Sequence, residues 1–468
     1  MLDVADALKA VHAHIEQNFD AHLERTRDIL RQPSISADGT GIREMAEMLT
    51  AWLKELDANA SLVETTGFPI VYGELNAGAP RTVMVYGMYD TMPVQGETWI
   101  CDPFAAEIVE LSGRGKCIIA RGAENSKGSL ASFLNMLDSW RAINGNFPVN
   151  LKFVLEGEEE LGSPNLPKFI AEHQTQLYAD AGIYPELCQD RTGKPVMKLG
   201  YKGIAFFHLR VRGGEWGGPT ERAVHSSRAV WYASPTIVLV QALASLWSQD
   251  QQRILMDGFY DDVAPIPPED EKLLEALART FNPKSELADD GVRRFKWDAR
   301  GVELLKKYLY EPSLNICGIH SGSLSGSHTI LPHEAEAHID FRFVPKQTAE
   351  KIQAQLIEYF RRKGFPQIEV YLHDTTSWAK TPVTAPPVQA AIQTCREFGL
   401  EPEIWPHQAG GSPMYLFTET LGIPLVPFGL GHGGGAHGPN EYATVEGLKL
   451  CEKSLASFLA HYALAEHI

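Results

Sequence analysis

The sequence predicts an α/β protein in which a mostly parallel sheet, with helices on both faces, is interrupted by an inserted α+β domain. Short apolar strands alternate with helices between residues 82 and 185, as in "TVMVYG", "KGSLASFLNMLDSW", "NLKFVLEG" and "AGIY". This alternation is typical of a parallel sheet, whose ligands bind at the carboxyl ends of the strands. After Gly200 the pattern changes to alternating polar and apolar residues, which is typical of half-buried antiparallel strands.

A chain of 468 residues has room for two domains. We predict that residues 1–199 form the first part of a catalytic domain, 200–382 a lid and dimerisation domain, and 383–468 the second catalytic part. Apolar residues at helical intervals predict a helix over 3–31, followed by a second in "IREMAEMLTAWLKEL". In the insertion, "GIAFFHLRV" and "EAEAHIDFRFVP" predict strands, and "TAEKIQAQLIEYFRRKG" predicts an amphipathic helix. In the last part, "VQAAIQTCREFG" predicts a helix and "IPLVPFG" a strand.

The charge and the cysteines restrict the partners and the compartment. The chain has 42 Lys and Arg against 59 Asp and Glu, a net charge of -17, without a long run of either sign. It should therefore repel phosphate backbones and anionic lipid, so we expect neither nucleic acid nor a membrane as partner. Six scattered cysteines without a C-x-x-C pair, and an amino terminus without a signal sequence, favour a cytoplasmic protein. A small molecule is the expected partner.

Four loops concentrate residues that bind metals: "GMYD" at 87–90, "RGAENSKG" at 121–128, "EGEEELGS" at 156–163 and "GGAHGPNEY" at 434–442. Hydrolysis of a stable C–N bond at neutral pH needs an activated water, and a bound divalent cation lowers the pKa of that water to about 7. A carboxylate beside it accepts the proton. Glu159 and Glu160 supply both kinds of carboxylate, although a run of glutamates is by itself more often a solvated loop.

These loops resemble the motifs of the dinuclear metallopeptidases that include aminoacylases, carnosinase-like dipeptidases and carboxypeptidase G. The family motifs are Gly-His-x-Asp, Gly-Arg-Gly-x-x-Asp-x-Lys-Gly, Glu-Glu-x-Gly-Ser and Ala-His-x-x-Asn-Glu. Their order is the same here, and the resemblance covers essentially the whole chain. It implies that Glu159 is the general base. It also implies that Asp90, which orients a histidine in the family, belongs to the catalytic residues.

The resemblance further implies the metal ligands Glu124, Glu160, Glu186 and His437. Glu124 stands for the aspartate that bridges two metals, and the peptide bond from Glu124 to Asn125 for one that the family often holds in cis.

Met88 replaces the histidine ligand of the family. A thioether binds hard divalent cations poorly, so one of the two metal positions has lost its imidazole. We therefore expect one divalent transition metal (Mn, Zn, Fe or Co), held by Glu124, Glu160 and His437, with Glu186 reaching in. His432 is an alternative further ligand, and simple filling of an apolar gap is the alternative for Met88.

The inserted domain resembles the lid and dimerisation domain of the family. His225 matches a histidine that reaches into the site of the neighbouring subunit. Asn315 and Arg342 match residues that bind the carboxylate of the substrate, for which a guanidinium is well suited. Gly411 and Ser412, in "AGGSPM", match a turn that approaches the substrate. The resemblance thus implies a small carboxylate substrate and a homodimer or larger homo-oligomer.

Three functions are compatible with this altered site. The favoured hypothesis is a non-peptide aminohydrolase acting on an aromatic amine such as 5-nitroanthranilate, because a rebuilt metal site suggests a change of chemistry. The first alternative is a dipeptidase or an amidohydrolase of N-acyl amino acids. The second alternative is an inactive homologue that only binds carboxylates.

Overall fold

The computed structural model describes residues 3–323, 325–326 and 328–465, without the side chain of residue 289. The α-helices of this part are α1 Val4–Arg31, α2 Ile42–Glu55, α3 Lys127–Asn144, α4 Leu166–His173, α5 Pro235–Ser245, α6 Pro268–Thr280, α7 Pro283–Asp289, α8 Val302–Tyr310, α9 Ala349–Arg362, α10 Pro386–Glu397 and α11 Val445–Leu464. The strands are β1 Asn59–Val63, β2 Ile70–Leu75, β3 Thr82–Met88, β4 Glu107–Leu111, β5 Gly115–Ile119, β6 Asn150–Glu156, β7 Ala181–Pro185, β8 Val196–Lys198, β9 Gly200–Tyr201, β10 Gly203–Arg212, β11 Val224–His225, β12 Ser313–Ser321, β13 Ile330–Leu331, β14 Glu334–Phe343, β15 Ile368–Thr376, β16 Ala379–Lys380, β17 Glu403–Trp405, β18 Leu425–Phe428, β19 Gly433–Gly434 and β20 Tyr442–Thr444.

The chain divides into two compact units. Unit 1 comprises residues 1–199, 380–405 and 416–468, and unit 2 comprises 200–379 and 406–415. Unit 2 begins at the residue expected for the insertion and ends at 379 instead of 382. Residues 406–415, expected in the second catalytic part, belong to unit 2, where the amide of Lys202 donates to the carbonyl of Gln408.

Unit 1 contains a six-stranded mixed sheet with the order β1-β2-β6-β3-β7-β18. The pairs β6–β3, β3–β7 and β7–β18 are parallel, whereas β1 and β2 pair antiparallel. Strand β3 lies between β6 and β7, so the loops that follow these three strands leave the same edge of the sheet. The predicted mixed α/β fold with a central sheet is confirmed.

Apolar faces of the helices build the core of unit 1. The predicted amphipathic pattern of α1 is confirmed, since Val11 and Ile15 are fully buried and α1 packs against α3 and α11. Helix α3 is buried on nearly all sides and includes the fully buried Trp140. Helices α1 and α11 pack against it. This packing fixes the loop 121–126, which leads directly into α3.

Unit 2 is built on an antiparallel sheet with the order β12-β14-β10-β15. Strands β10 and β14 bury alternate residues, as the sequence pattern predicts, and helices α5 and α9 pack on the buried face. Phe207 and Phe341 meet edge to face in this core. No helix in the described part of the chain is both long and apolar enough to span a membrane.

Lys202, just before β10, gives unit 2 a stability that depends on pH. The buried ammonium donates to the carbonyls of Tyr308 and Glu311, each at 2.6 Å. Burial lowers its pKa to about 7; the Arg342 charge lowers it further and Glu311 opposes both. Lysine in an unfolded chain titrates near 10.4. Between these pH values the unfolded chain binds more protons, so the contribution of Lys202 to stability rises with pH.

We therefore expect the free energy of unfolding of the unsubstituted chain to increase, relative to Lys202→Met, as the pH rises from 7 to 10. Urea unfolding of both proteins at several pH values measures this difference. A difference that does not change with pH would contradict the prediction.

Candidate metal centre and catalytic residues

The loop after β6 carries the two glutamates. Glu159 and Glu160 begin a single 3-10 turn, Glu159–Leu161, two residues after the end of the strand. Asp90, at the end of β3, is fully buried; its Oδ1 accepts the amide of Glu159 at 3.1 Å and its Oδ2 accepts the amide of Glu160 at 3.0 Å. Met88 offers no side-chain N–H for Asp90 to orient. In this chain Asp90 therefore holds the backbone of the two glutamates.

Asn125, Glu160 and His437 converge on one point. Asn125 Nδ2 lies 2.9 Å from Glu160 Oε1 and 2.9 Å from His437 Nε2. Glu160 Oε2 lies 3.2 Å from His437 Nε2. An oxygen and a nitrogen each about 2.0–2.1 Å from one cation lie at about this separation. Glu160 and His437 thus have a spacing that is compatible with two ligands of one metal.

Asn125, and not Glu124, holds the place between these two ligands. The structure gives the carboxylate of Glu124 no hydrogen bond to Glu160 or His437 within the described chain. Counted back from Lys127, the aspartate of the family motif falls on Asn125, so the expectation for Glu124 was one residue out of register. The expected cis bond from Glu124 to Asn125 is wrong for the same reason, since the cis bond joins Asn125 to Ser126.

Glu124 and Glu186 form a separate acidic pair with Lys198. Burial raises the pKa of Glu124 to about 7, helped by the charges of Glu441 and Glu186 and opposed by Lys198 and His437. Burial also raises the pKa of Glu186 to about 7, and Lys198 opposes this shift.

Met88, the last residue of β3, is 2% exposed, and its carbonyl accepts the hydroxyl of Ser126 at 3.3 Å. Met88, Asn125 and Glu186 offer one anionic ligand where the family has a histidine and two aspartates. These three residues thus offer fewer anionic and imidazole ligands for a second metal than the family motifs do.

Both ring nitrogens of His432 bind other groups of the protein. Its Nδ1 lies 2.8 Å from the carbonyl of Gln189, so this nitrogen donates. Its Nε2 then accepts the hydroxyl of Tyr442 at 3.0 Å. Because neither ring nitrogen is left for a cation, His432 orders the last loop and does not serve as the alternative ligand.

A cation beside Glu159 and Glu160 would stabilise the ionised forms of the two side chains. Burial raises the pKa of Glu159 to about 8, and the charges of Glu160 and Asp90 add to this shift. Burial likewise raises the pKa of Glu160 to about 8, with Asp90 and Glu441 adding and Arg121 opposing. A bound cation favours the ionised forms.

Among residues 3–323, 325–326 and 328–465, no three His, Cys, Asp or Glu side chains are grouped so as to hold a metal ion. The reason is the substitution at Asn125, which leaves two such side chains and an amide. An amide oxygen is a neutral ligand, and rotation of the Asn125 side chain would exchange its nitrogen for its oxygen. Glu160 and His437 are the carboxylate and the imidazole at this point that could bind a divalent metal.

Glu441 holds the loop of this site together, and the sequence analysis missed this role. It is 1% exposed, and its Oε1 accepts the amides of Gly122, Glu124 and Asn125 at 3.1, 3.0 and 2.9 Å. Its Oε2 accepts from the guanidinium of buried Arg121 at 3.0 Å. The signal was present, because the family motif Ala-His-x-x-Asn-Glu ends at this residue.

We expect Glu441→Gln to lower the free energy of unfolding by about 2 kcal/mol, since three amides and Arg121 lose a charged acceptor. It should also reduce turnover, because Asn125 is held by this carboxylate. Glu446→Gln, at an exposed position in α11, is the matched control, with a change within about 0.5 kcal/mol. Urea unfolding measures both, and equal stabilities of the two variants would contradict the role of Glu441.

Within unit 2, two of the expected substrate-binding residues share one partner. Asn315 donates to Asp340 Oδ2 at 3.1 Å, and Arg342 Nε lies 3.3 Å from Asp340 Oδ1. Arg342 also donates to the carbonyl of Ala409 at 3.3 Å. A substrate carboxylate would therefore have to compete with Asp340 for these donors.

The other expected residues of unit 2 lie in turns. His225 ends β11, and its Nδ1 accepts the amide of Ser227 at 3.2 Å. A Cβ at Gly411 would lie 2.6 Å from the Ile204 side chain, so this turn requires glycine unless that side chain moves. Ser412 accepts the amide of Met414 at 3.3 Å.

Comparison with known proteins identifies the family. The sequence profile of Peptidase family M20/M25/M40 matches residues 84–461. The chain belongs to this family. As an M20 family member it is a metal-dependent hydrolase that acts on C–N bonds.

The M20 relatives include several peptidases. A Cys-Gly metallodipeptidase of Saccharomyces cerevisiae is 29% identical over 82% of this chain and 79% of its own length. A β-Ala-His dipeptidase of Homo sapiens is 25% identical over 82% of this chain and 76% of its own. Among solved structures, an M20 metallo-carboxypeptidase of Sulfolobus solfataricus is 32% identical and matches with a TM-score of 0.84 over 95% of this chain and 99% of its own. These similarities favour the dipeptidase alternative over the aromatic aminohydrolase.

Proposed function

We propose that this protein is a peptidase that hydrolyses dipeptides with a free carboxyl terminus, using one divalent metal. The observation that carries the proposal is the convergence of Glu160, His437 and Asn125 beside Glu159. The dipeptide class is supported by the names of the relatives, which are dipeptidases and a carboxypeptidase. A bound metal would supply Lewis acidity at the carbonyl and lower the pKa of water.

Each residue of the chain has a distinct part in this proposal. Glu160, His437 and the amide oxygen of Asn125 would hold the metal, and Glu159 would take a proton from water and deliver it to the leaving nitrogen. Asp90 would keep Glu159 and Glu160 in position through their amides. Arg342 and Asn315 would bind the carboxylate of the substrate.

The homodimer also remains a proposal. Val230 and Trp231, five and six residues after His225, are 88% and 76% exposed. Large exposed apolar side chains that lie together mark interaction surfaces, so this segment is a candidate contact between two chains. Light scattering of the purified protein measures its mass. A monomeric mass at micromolar concentration would contradict the proposed dimer. The cytoplasmic location is likewise proposed, and fractionation of cells tests it.

Turnover on a substrate panel tests the proposed function. The panel contains dipeptides, N-acyl amino acids and ortho-aminobenzoates, each with manganese, zinc, iron or cobalt. We expect metal-dependent release of amino acids from dipeptides and none after chelation. Faster turnover of the aminobenzoates would support the aromatic aminohydrolase instead, and turnover of no substrate would support the inactive homologue.

A further inference from the structure

Unit 2 contains an open groove of about 910 Å³, a volume within the range of small-molecule sites. Its walls are residues 250–252, helix α7, and residues 293–300 of the connection between α7 and α8. Five cationic side chains line the groove against two acidic ones, and we call it the basic groove. The cationic side chains are Lys284, Arg293, Arg294, Lys296 and Arg300.

The charge of this wall is opposite to that of the whole chain. The chain has 42 Lys and Arg against 59 Asp and Glu, whereas four of the five cations of the groove lie within residues 291–300, where Asp298 is the only acid. The second acid of the groove, Asp250, is bound by its own turn. It accepts the hydroxyl of Ser248 at 2.5 Å and the amide of Gln252 at 3.1 Å. Positive charge is therefore concentrated in one short segment of an acidic protein.

The segment 294–300 alternates between buried and exposed positions. Phe295, Trp297 and Ala299 are half-buried, whereas the charged residues at 294, 296, 298 and 300 are exposed. Successive residues of an extended segment point in opposite directions. The apolar side chains therefore hold the segment against unit 2 and leave the charged side chains at the surface of the groove.

Four cations of the basic groove form no ion pair with any side chain that the structure describes. They are Lys284, Arg293, Arg294 and Arg300. The sequence contains one other pair of adjacent arginines, at 361 and 362. Those two bind Glu358 and Asp257. Proximity of two arginines therefore does not by itself prevent pairing, and the cations of the groove are left available to an anion.

The chemistry of these cations favours a small ligand with several negative charges. Like charges in one groove repel each other, and a multivalent anion between them relieves this repulsion. The planar guanidinium fork of arginine matches phosphate oxygens in pairs. A long polyanion would also meet the remaining surface of a chain whose net charge is -17. Salt screens the attraction of the groove beyond about 10 Å, so the ligand has to fit within it.

We propose that the basic groove binds a small molecule that carries a chain of two or more phosphate groups. The phosphate oxygens pair with Arg293 and Arg294, and Lys284, Lys296 and Arg300 surround them. The groove contains none of the residues of the proposed hydrolysis, so binding requires neither the metal nor turnover.

Calorimetry of the full chain with tripolyphosphate tests this proposal. The buffer is free of metal, because phosphate chains themselves bind divalent cations. We expect binding in the micromolar range, and binding of orthophosphate and citrate at least tenfold weaker. Absence of tripolyphosphate binding at millimolar concentration would overturn the proposal, as would a citrate affinity equal to or higher than that of tripolyphosphate.

ATP and adenosine distinguish the two sources of such a ligand. ATP should bind at least as tightly as tripolyphosphate, and adenosine should not bind. Equal affinities of ATP and tripolyphosphate would identify the phosphate chain alone as the recognised group. A tenfold tighter binding of ATP would assign the groove to nucleotides. Binding of adenosine as tight as that of ATP would overturn the proposal, since the phosphates would then contribute nothing.

A double variant assigns the binding to the groove. Arg293→Gln with Arg294→Gln should weaken tripolyphosphate binding at least tenfold, because two charged hydrogen-bond donors are lost. Arg361→Gln with Arg362→Gln removes the other adjacent pair and is the matched control, with unchanged affinity. Urea unfolding checks that both variants are folded. Unchanged affinity in the first variant, or equal weakening in both, would overturn the proposal. Because neither turnover nor metal enters the measurement, a failure of the dipeptidase proposal would leave this result intact.

Discussion

Replacing Glu159 by glutamine is expected to lower the turnover of the best dipeptide by a factor of about 10² to 10⁴, the usual contribution of a general base. Glutamine keeps the size of the side chain but cannot accept the proton from water. The amide of Glu159 would still bind Asp90, since that contact uses the backbone. The loop should therefore keep its geometry, and Glu160 should keep its contact with His437.

Three measurements separate loss of the base from loss of the fold. The free energy of unfolding should not fall, because the variant removes a carboxylate whose pKa is raised by burial. The zinc content should stay the same, because Glu159 is not a proposed ligand. Glu172→Gln, at an exposed position in α4, should have unchanged turnover. Retention of full turnover by Glu159→Gln would mean that another group accepts the proton.

The sequence was sufficient for the fold because the decisive signals are local. Alternating strands and helices predict a parallel sheet, and the residue that follows each strand is then placed at one edge. The resemblance to the family, and not this reasoning, implied that Glu160 and His437 share a metal, and the two side chains lie 3.2 Å apart although 276 residues separate them. Convergence at the carboxyl ends of β3, β6 and β7 follows from the order of the strands.

The failures occurred where neighbouring residues of a loop point in different directions. Glu124 and Asn125 are adjacent, and the family aspartate was placed on Glu124 although the count back from Lys127 places it on Asn125. The contacts of Asn125 with Glu160 and His437 show which of the two side chains faces these residues. Glu441 ends the last family motif, but its role was missed because its partners are backbone amides, which the motif does not identify. Asp90 was placed among the catalytic residues because the family aspartate at this position orients a histidine, and the sequence did not reveal its contacts with the amides of Glu159 and Glu160.

The second prediction concerns the number of metal ions that the chain binds, and it follows from the altered ligands. The unsubstituted chain should bind at most one metal tightly, because Met88 and Asn125 have replaced ligands of the family. Asn125→Asp adds a carboxylate between Glu160 and His437. Without metal this carboxylate faces Glu160 and loses the two amide contacts, so we expect the variant to be less stable by about 1 to 3 kcal/mol. With metal it should gain stability, since binding to the folded state adds about 2.7 kcal/mol at a hundredfold excess over Kd.

The double variant Met88→His with Asn125→Asp should bind two equivalents, because it restores the imidazole and the shared carboxylate of the family motifs. Mass spectrometry of the metal content after dialysis against zinc or manganese counts the equivalents, and thermal unfolding with and without metal measures the linkage. Asn76→Asp, at an exposed loop position, is the control and should change neither quantity. Two tightly bound metal ions per unsubstituted chain would contradict the one-metal proposal. A single equivalent in the double variant would mean that Met88 does not face a metal position, and that its replacement of histidine reflects packing beneath the site.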